Sequence, residues 1–93
     1  MQIIKVLPSF ERTLKKLSLK DKEKLKKSLH LLNNFLVTGI LPKGLGLKKL
    51  TDDLYELRVD IRLRVILKMG KDTVFLALAG SHNDIKQYLK KFK

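Results

Sequence analysis

A chain of 93 residues without a cysteine has one core's worth of length and no disulfide to staple it, so its 44% hydrophobic content must hold the fold. Lysine and arginine outnumber aspartate and glutamate 21 to 9, a formal charge of +12, which favours a polyanionic partner, nucleic acid or an acidic protein, over an anionic membrane surface. No run approaches the ~20 apolar residues of a membrane span, and Met1-Gln2-Ile3-Ile4-Lys5 is too short and too polar for a signal peptide; a soluble cytoplasmic protein with no membrane partner, folded as one domain over 1–93, is expected.

Ile3 to Leu7 is a short apolar run ended by Pro8 and reads as a first strand. Pro8-Ser9 opens a helix in which Phe10, Leu14 and Leu17 recur at i, i+4 and i+7, with Arg12, Lys15 and Lys16 opposite. Ser18, with Asp21 three residues later, caps a second helix whose stripe is Leu25, Leu29, Leu32 and Leu36. Gly39 suits the left-handed position just past that helix, and Pro42 marks the stop. Lys43 to Leu50, with Gly44, Gly46, Lys48 and Lys49, reads as a flexible basic connection rather than an element. Three strands follow, at about Leu54–Val59, Arg62–Met69 and Thr73–Ala79, joined by a turn at Asp60 and by Gly70-Lys71-Asp72, so consecutive strands pair antiparallel. A last helix spans about Asn83–Phe92, with Ile85, Leu89 and Phe92 as its stripe. The order β-α-α-β-β-β-α gives an α+β domain, two helices packed on one face of a small antiparallel sheet.

Strand alternation then sorts the charges. Tyr55, Leu57 and Val59 share a face with Leu63, Val65, Leu67 and Met69, which the helices cover. Glu56, Arg58, Arg62, Arg64 and Lys68 share the other, open face, interrupted only by Ile66. Two readings fit this face. One is a solvated surface with cross-strand ion pairs of little energetic consequence. The other is an anion platform, since a guanidinium stays charged and its planar fork matches phosphate oxygens bidentately.

His82 follows Gly80-Ser81 where the last strand meets the last helix. It either decorates a helix start or serves beside the charged face as a proton-transfer group, the usual chemistry of a residue that titrates near neutrality. Tyr88 is i+3 from Ile85 and i−4 from Phe92, which suits the core, but its ring and hydroxyl can also turn toward a base at the sheet edge. The lysines of the helical region, Lys15, Lys16, Lys20, Lys22, Lys24, Lys26 and Lys27, read as a solvated face that adds non-specific phosphate attraction. His30 has no partner motif. Two histidines without a cysteine make no zinc site.

The order of elements, the Leu-Tyr-Glu-Leu-Arg-Val strand, the Arg-Leu-Arg-Val-Ile strand and the Gly-Ser-His ending together resemble the RelE/ParE superfamily of bacterial toxin–antitoxin toxins, in particular its ribosome-dependent endoribonuclease branch. The match covers nearly the whole chain, most strongly from Leu50 to Tyr88. The resemblance implies metal-independent cleavage of messenger RNA on the ribosome, with no cofactor, by attack of a 2′-hydroxyl on its own phosphate. By the same resemblance the catalytic set falls on Glu56 as general base, His82 as general acid, Arg58 and Arg64 against the phosphate, and Tyr88. Lys48, Lys49, Arg62 and Lys68 become phosphate contacts, and the implied partners are a cognate antitoxin and ribosome-bound messenger RNA. Leu67 stands where the family pattern carries an aromatic residue. The gyrase-inhibiting ParE branch, a binding module on the same fold, is the alternative. An unspecialised RNA-binding domain is a third reading, disfavoured by the scarcity of aromatic residues for base stacking.

Overall fold

Pro8 ends the first strand and begins the first helix at once, because its missing N–H is not needed in a helix's first turn and its fixed φ is already helical. From there the computed structural model, which describes residues 3–91, follows the sequence closely. It contains β1 (Ile3–Val6), α1 (Pro8–Leu14), α2 (Leu19–Thr38), β2 (Gly46–Lys49), β3 (Leu54–Arg58), β4 (Arg64–Met69), β5 (Thr73–Gly80) and α3 (His82–Lys90). Ser18 caps α2 by accepting from the Asp21 N–H at 3.1 Å, and Gly39 closes it at φ 75°. Phe92, expected in the stripe of the last helix, lies outside the described residues.

Two expectations are corrected. The sheet has five strands in the order β1-β5-β4-β3-β2, and it is mixed: β1 pairs parallel to β5, while every other neighbouring pair is antiparallel. A parallel partner lies at the far end of a long crossover, so nothing local in Ile3–Val6 announces it. The segment Lys43–Leu50 also holds a strand, β2. Its glycine and two lysines lower its intrinsic β propensity, but a ladder to β3 and two inward leucines, Leu45 buried and Leu47 half-buried, supply what propensity does not.

One core lies between the sheet and α1–α2, with Phe10, Leu25 and Leu32 packed on Leu57, Val65, Leu67, Val74 and Leu76. Leu67 belongs to this core, so the departure from the aromatic family pattern falls on the face turned away from the charged residues. The other face is not wholly open. Ile85 of α3 packs there on Leu54, Ile66 and Ala77, with Tyr88 and Leu89 beside them. Ile66, the apolar interruption among the charges, is the residue α3 covers, and its exposure is 0%.

A β-bulge sits between the two cores. Ile66 pairs with Leu78 but Leu67 with Leu76, which leaves Ala77 as an extra residue on β5. Helix α1 satisfies the irregular backbone: Ser9 Oγ donates to the Ala77 carbonyl, and Thr13 Oγ1 accepts from the Ala79 N–H at 3.1 Å. The bulge thus fixes α1 to the end of β5 that leads into Gly80-Ser81-His82.

Candidate active site

The charged groove is built by alternation on three adjacent strands. Lys48 on β2 stands opposite Glu56 on β3, and Arg58 on β3 stands opposite Arg64 on β4. These four side chains, with Gly46 and Leu47, line a recess of about 280 Å³. Gly46 is opposite Arg58, and a Cβ on it would lie 3.2 Å from Arg58 Cβ, so a side chain there would crowd the groove.

Glu56 is the one buried charged residue among those described, at 7% exposure. Arg64 donates from Nη1 to Oε1 at 3.3 Å and to Oε2 at 3.4 Å, longer than the about 2.7–2.9 Å of a strong charge-assisted bond. Its Nε is buried without a hydrogen-bond partner. A buried donor left unsatisfied costs about 1–3 kcal/mol. Arg58 and Arg64, like charges directly opposite each other, add a repulsion that Glu56 answers for only one of them. Three cations against one carboxylate leave the groove short of negative charge, a deficit that a phosphate would fill.

The remaining expected residues fall in different places. Lys49 alternates to the opposite face from Lys48, paired with Tyr55. Lys68 is exposed at the far end of β4 opposite Leu54, outside the groove. Arg62 is not on the sheet face at all, contrary to the expectation that put it in a strand with Arg64. The segment from Val59 to Leu63 is a turn, held by Asp60 Oδ1 accepting from the N–H groups of Arg62 and Leu63 at 2.8 Å each, with Val59 N–H on the Leu63 carbonyl at 2.9 Å. The other Asp60 oxygen accepts from Lys24 Nζ of α2 at 2.8 Å. These bonds draw the Asp60 carboxyl down to a pKa of about 2, the Lys24 hydrogen bond contributing most. Asp60 is the residue whose importance alternation could not reveal, although a short acidic residue in a turn two or three positions before free N–H groups is its signature.

His82 is exposed in the first turn of α3, two residues past Gly80, which pairs with Arg64. It lines neither the groove nor the cavity described next. Its position is set by a capping box: Ser81 Oγ accepts from the Asp84 N–H at 3.2 Å, and Asp84 Oδ2 accepts from the Ser81 N–H at 2.9 Å. Tyr88 takes the core position that its spacing suits and also reaches a cavity. It is half-buried against the Ile66–Ile85 core and lines a cavity of about 420 Å³ at the end of β5, together with Arg62 and Gly80.

No family model matches the sequence, and no curated protein matches it either. Solved structures match its shape over about nine-tenths of its length. An Escherichia coli DinJ–YafQ toxin–antitoxin complex aligns at TM-score 0.73 and 21% identity over 90% of this chain and 96% of that one. A copper-bound mutant toxin from Helicobacter pylori aligns at 0.70 and 19% over 91% and 99%. A RelB–RelE antitoxin–toxin complex from Methanococcus jannaschii aligns at 0.66 and 17% over 90% and 96%. The architecture is therefore a small α+β fold with a helical hairpin on one sheet face and a terminal helix on the other. It is the fold of the RelE-like toxins.

Proposed function

We propose that this chain is the toxin of a toxin–antitoxin pair and an endoribonuclease that cuts ribosome-bound messenger RNA in the cytoplasm. The observation that carries the reading is the Arg58–Arg64 cross-strand pair beside a buried Glu56, with Lys48 opposite: a groove short of negative charge, with a carboxylate inside it. In the reaction Glu56 takes the proton of a 2′-hydroxyl, whose oxygen attacks the adjacent phosphorus. The P–O5′ bond breaks, and the leaving oxygen takes a proton from His82. A 2′,3′-cyclic phosphate and a 5′-hydroxyl result, and no water, metal or cofactor enters the scheme. Arg58 and Arg64 neutralise the charge that builds on the phosphorane. Lys48 holds the neighbouring backbone, with Lys49, Arg62 and Lys68 as outer contacts to messenger or ribosomal RNA.

The partner is a cognate antitoxin, the kind of molecule with which the DinJ–YafQ and RelB–RelE toxins crystallised. A charge of +12 suits an acidic one. Among the described residues no helix is long and apolar enough to cross a membrane. Primer extension on messenger RNA from cells expressing the chain tests the proposal. Discrete new 5′ ends within coding regions are expected; intact messenger RNA together with blocked gyrase supercoiling would replace the reading by the ParE-like binding module.

A further inference from the structure

The cavity at the end of β5 is not a second phosphate site, and its lining says why. Lys16, Arg62 and Lys91 are opposed there by Asp21 and Asp84, three cations to two carboxylates, in a space half as large again as the groove. The groove concentrates three cations against one carboxylate. Mixed charge over an apolar floor, Leu17, Leu63 and Leu78, with a tyrosine ring in the wall, is the chemistry of a planar heterocycle carrying both donors and acceptors. An anion would choose the groove.

The two recesses are neighbours on the sheet: Arg64 lines one and Gly80 the other, and these two residues are directly paired across β4–β5, with their backbones about one strand spacing, ~4.8 Å, apart. A single strand of RNA with its phosphate between Arg58 and Arg64 therefore brings an adjoining nucleoside to the cavity mouth. Of the polar groups there, Asp84 is committed to the Ser81 cap. Gln87, one helical turn on from Asn83 and exposed on α3, presents an amide with one acceptor and two donor hydrogens.

We infer that this cavity is a nucleobase site, in which the base of a nucleotide next to the scissile phosphate stacks against Tyr88 and is read at its edge by Gln87. The inference rests on the endoribonuclease reading for its place in the reaction, but not for the binding itself. Gln87 is a specificity-determining position.

Two measurements test this on the intact chain. In NMR titrations with adenosine, guanosine, cytidine and uridine 5′-monophosphates, the Tyr88 ring and Gly80 N–H signals are expected to shift and saturate, more for one base than for the others, and that preference should vanish in Gln87→Ala. No saturable shift with any of the four overturns the site, whether or not the protein cuts RNA. On ribosomes programmed with messages differing only in the nucleotides flanking the cut, Gln87→Ala is expected to flatten the wild-type preference at one position by about tenfold. Gln87→Glu, which exchanges donors for acceptors, should redirect that preference. Unchanged nucleotide ratios in both variants overturn the inference while leaving the nuclease standing. An uncut message with an intact nucleotide titration leaves the site standing and removes the nuclease.

Discussion

Arg58 and Arg64 face each other directly across β3–β4, two arginines in register with one buried carboxylate, Glu56, which accepts from Arg64 alone among the two. Opposed like charges destabilise a sheet pair, so the folded protein is expected to gain from an anion in the groove. Inorganic phosphate at ten times its Kd should stabilise the wild type by about 1.4 kcal/mol, read as a rise in Tm. Arg58→Ala should lose most of that response. Equal phosphate stabilisation in both proteins would place the anion elsewhere.

The Glu56–Arg64 pair limits which variants are informative. Arg64→Ala strands a buried carboxylate and is expected to lower stability by about 1–3 kcal/mol, because the Arg64 side chain is itself only 19% exposed. Loss of toxicity in that protein could reflect either chemistry or folding. Arg64→Lys keeps the charge but not the bidentate fork. It should fold with nearly wild-type urea resistance and yet retain only a small fraction of the cleavage rate. Full activity in Arg64→Lys would show that the fork is not used.

Asp60 makes acid stability measurable at a single residue. Its carboxyl is lowered from 3.8 to about 2 in the folded protein, first by the Lys24 hydrogen bond. A group with a depressed folded pKa stabilises above its unfolded value and ceases to do so as the pH falls through the folded one. Asp60→Asn should therefore be less stable than the wild type at neutral pH, and the gap in urea midpoint should close between pH 3.8 and about 2. A gap that stays constant over this interval would mean that the Asp60 charge does not tie α2 to the hairpin.

Gly80 explains the Gly-Ser-His ending in physical terms. A Cβ at this position would lie 2.7 Å from Asp84 Oδ2 and 2.9 Å from Asp84 Cβ, where no side chain fits. Gly80→Ala must push Asp84 out of the capping box, at a cost of about 0.5–2 kcal/mol for the lost cap. It should also move His82 relative to Arg64, so the cleavage rate is expected to fall more than stability alone explains. A Gly80→Ala protein with wild-type melting and wild-type rate would contradict this role.

Much of this was legible in the sequence because it is periodic. The Leu25–Leu36 stripe, the Ser18 cap, the Gly39 stop and the alternation that gathers Glu56, Arg58 and Arg64 are local patterns, and each is found in the structure. What periodicity could not carry was non-local or irregular. The parallel β1–β5 ladder joins opposite ends of the chain, and β2 is a strand only because β3 lies beside it. Alternation alone carries Arg62 into the strand with Arg64, two residues through a turn that Asp60 holds. The cavity beside Tyr88 draws its walls from α1, α2, the hairpin turn and α3, and no stretch of sequence contains it.

The proposed reaction requires Glu56 and His82 to act as a proton-transfer pair on either side of one phosphate. Single-turnover cleavage of ribosome-bound messenger RNA by Glu56→Gln and His82→Ala, with ribosome binding measured in parallel, tests it most directly. Glu56→Gln keeps the shape of the buried side chain and a hydrogen-bond acceptor for Arg64, so folding is preserved. Each substitution is expected to slow cleavage by about 10²–10⁴-fold with ribosome affinity unchanged. Cleavage at the wild-type rate by both variants, or a wild-type chain that leaves messenger RNA intact and arrests gyrase, would contradict the assignment.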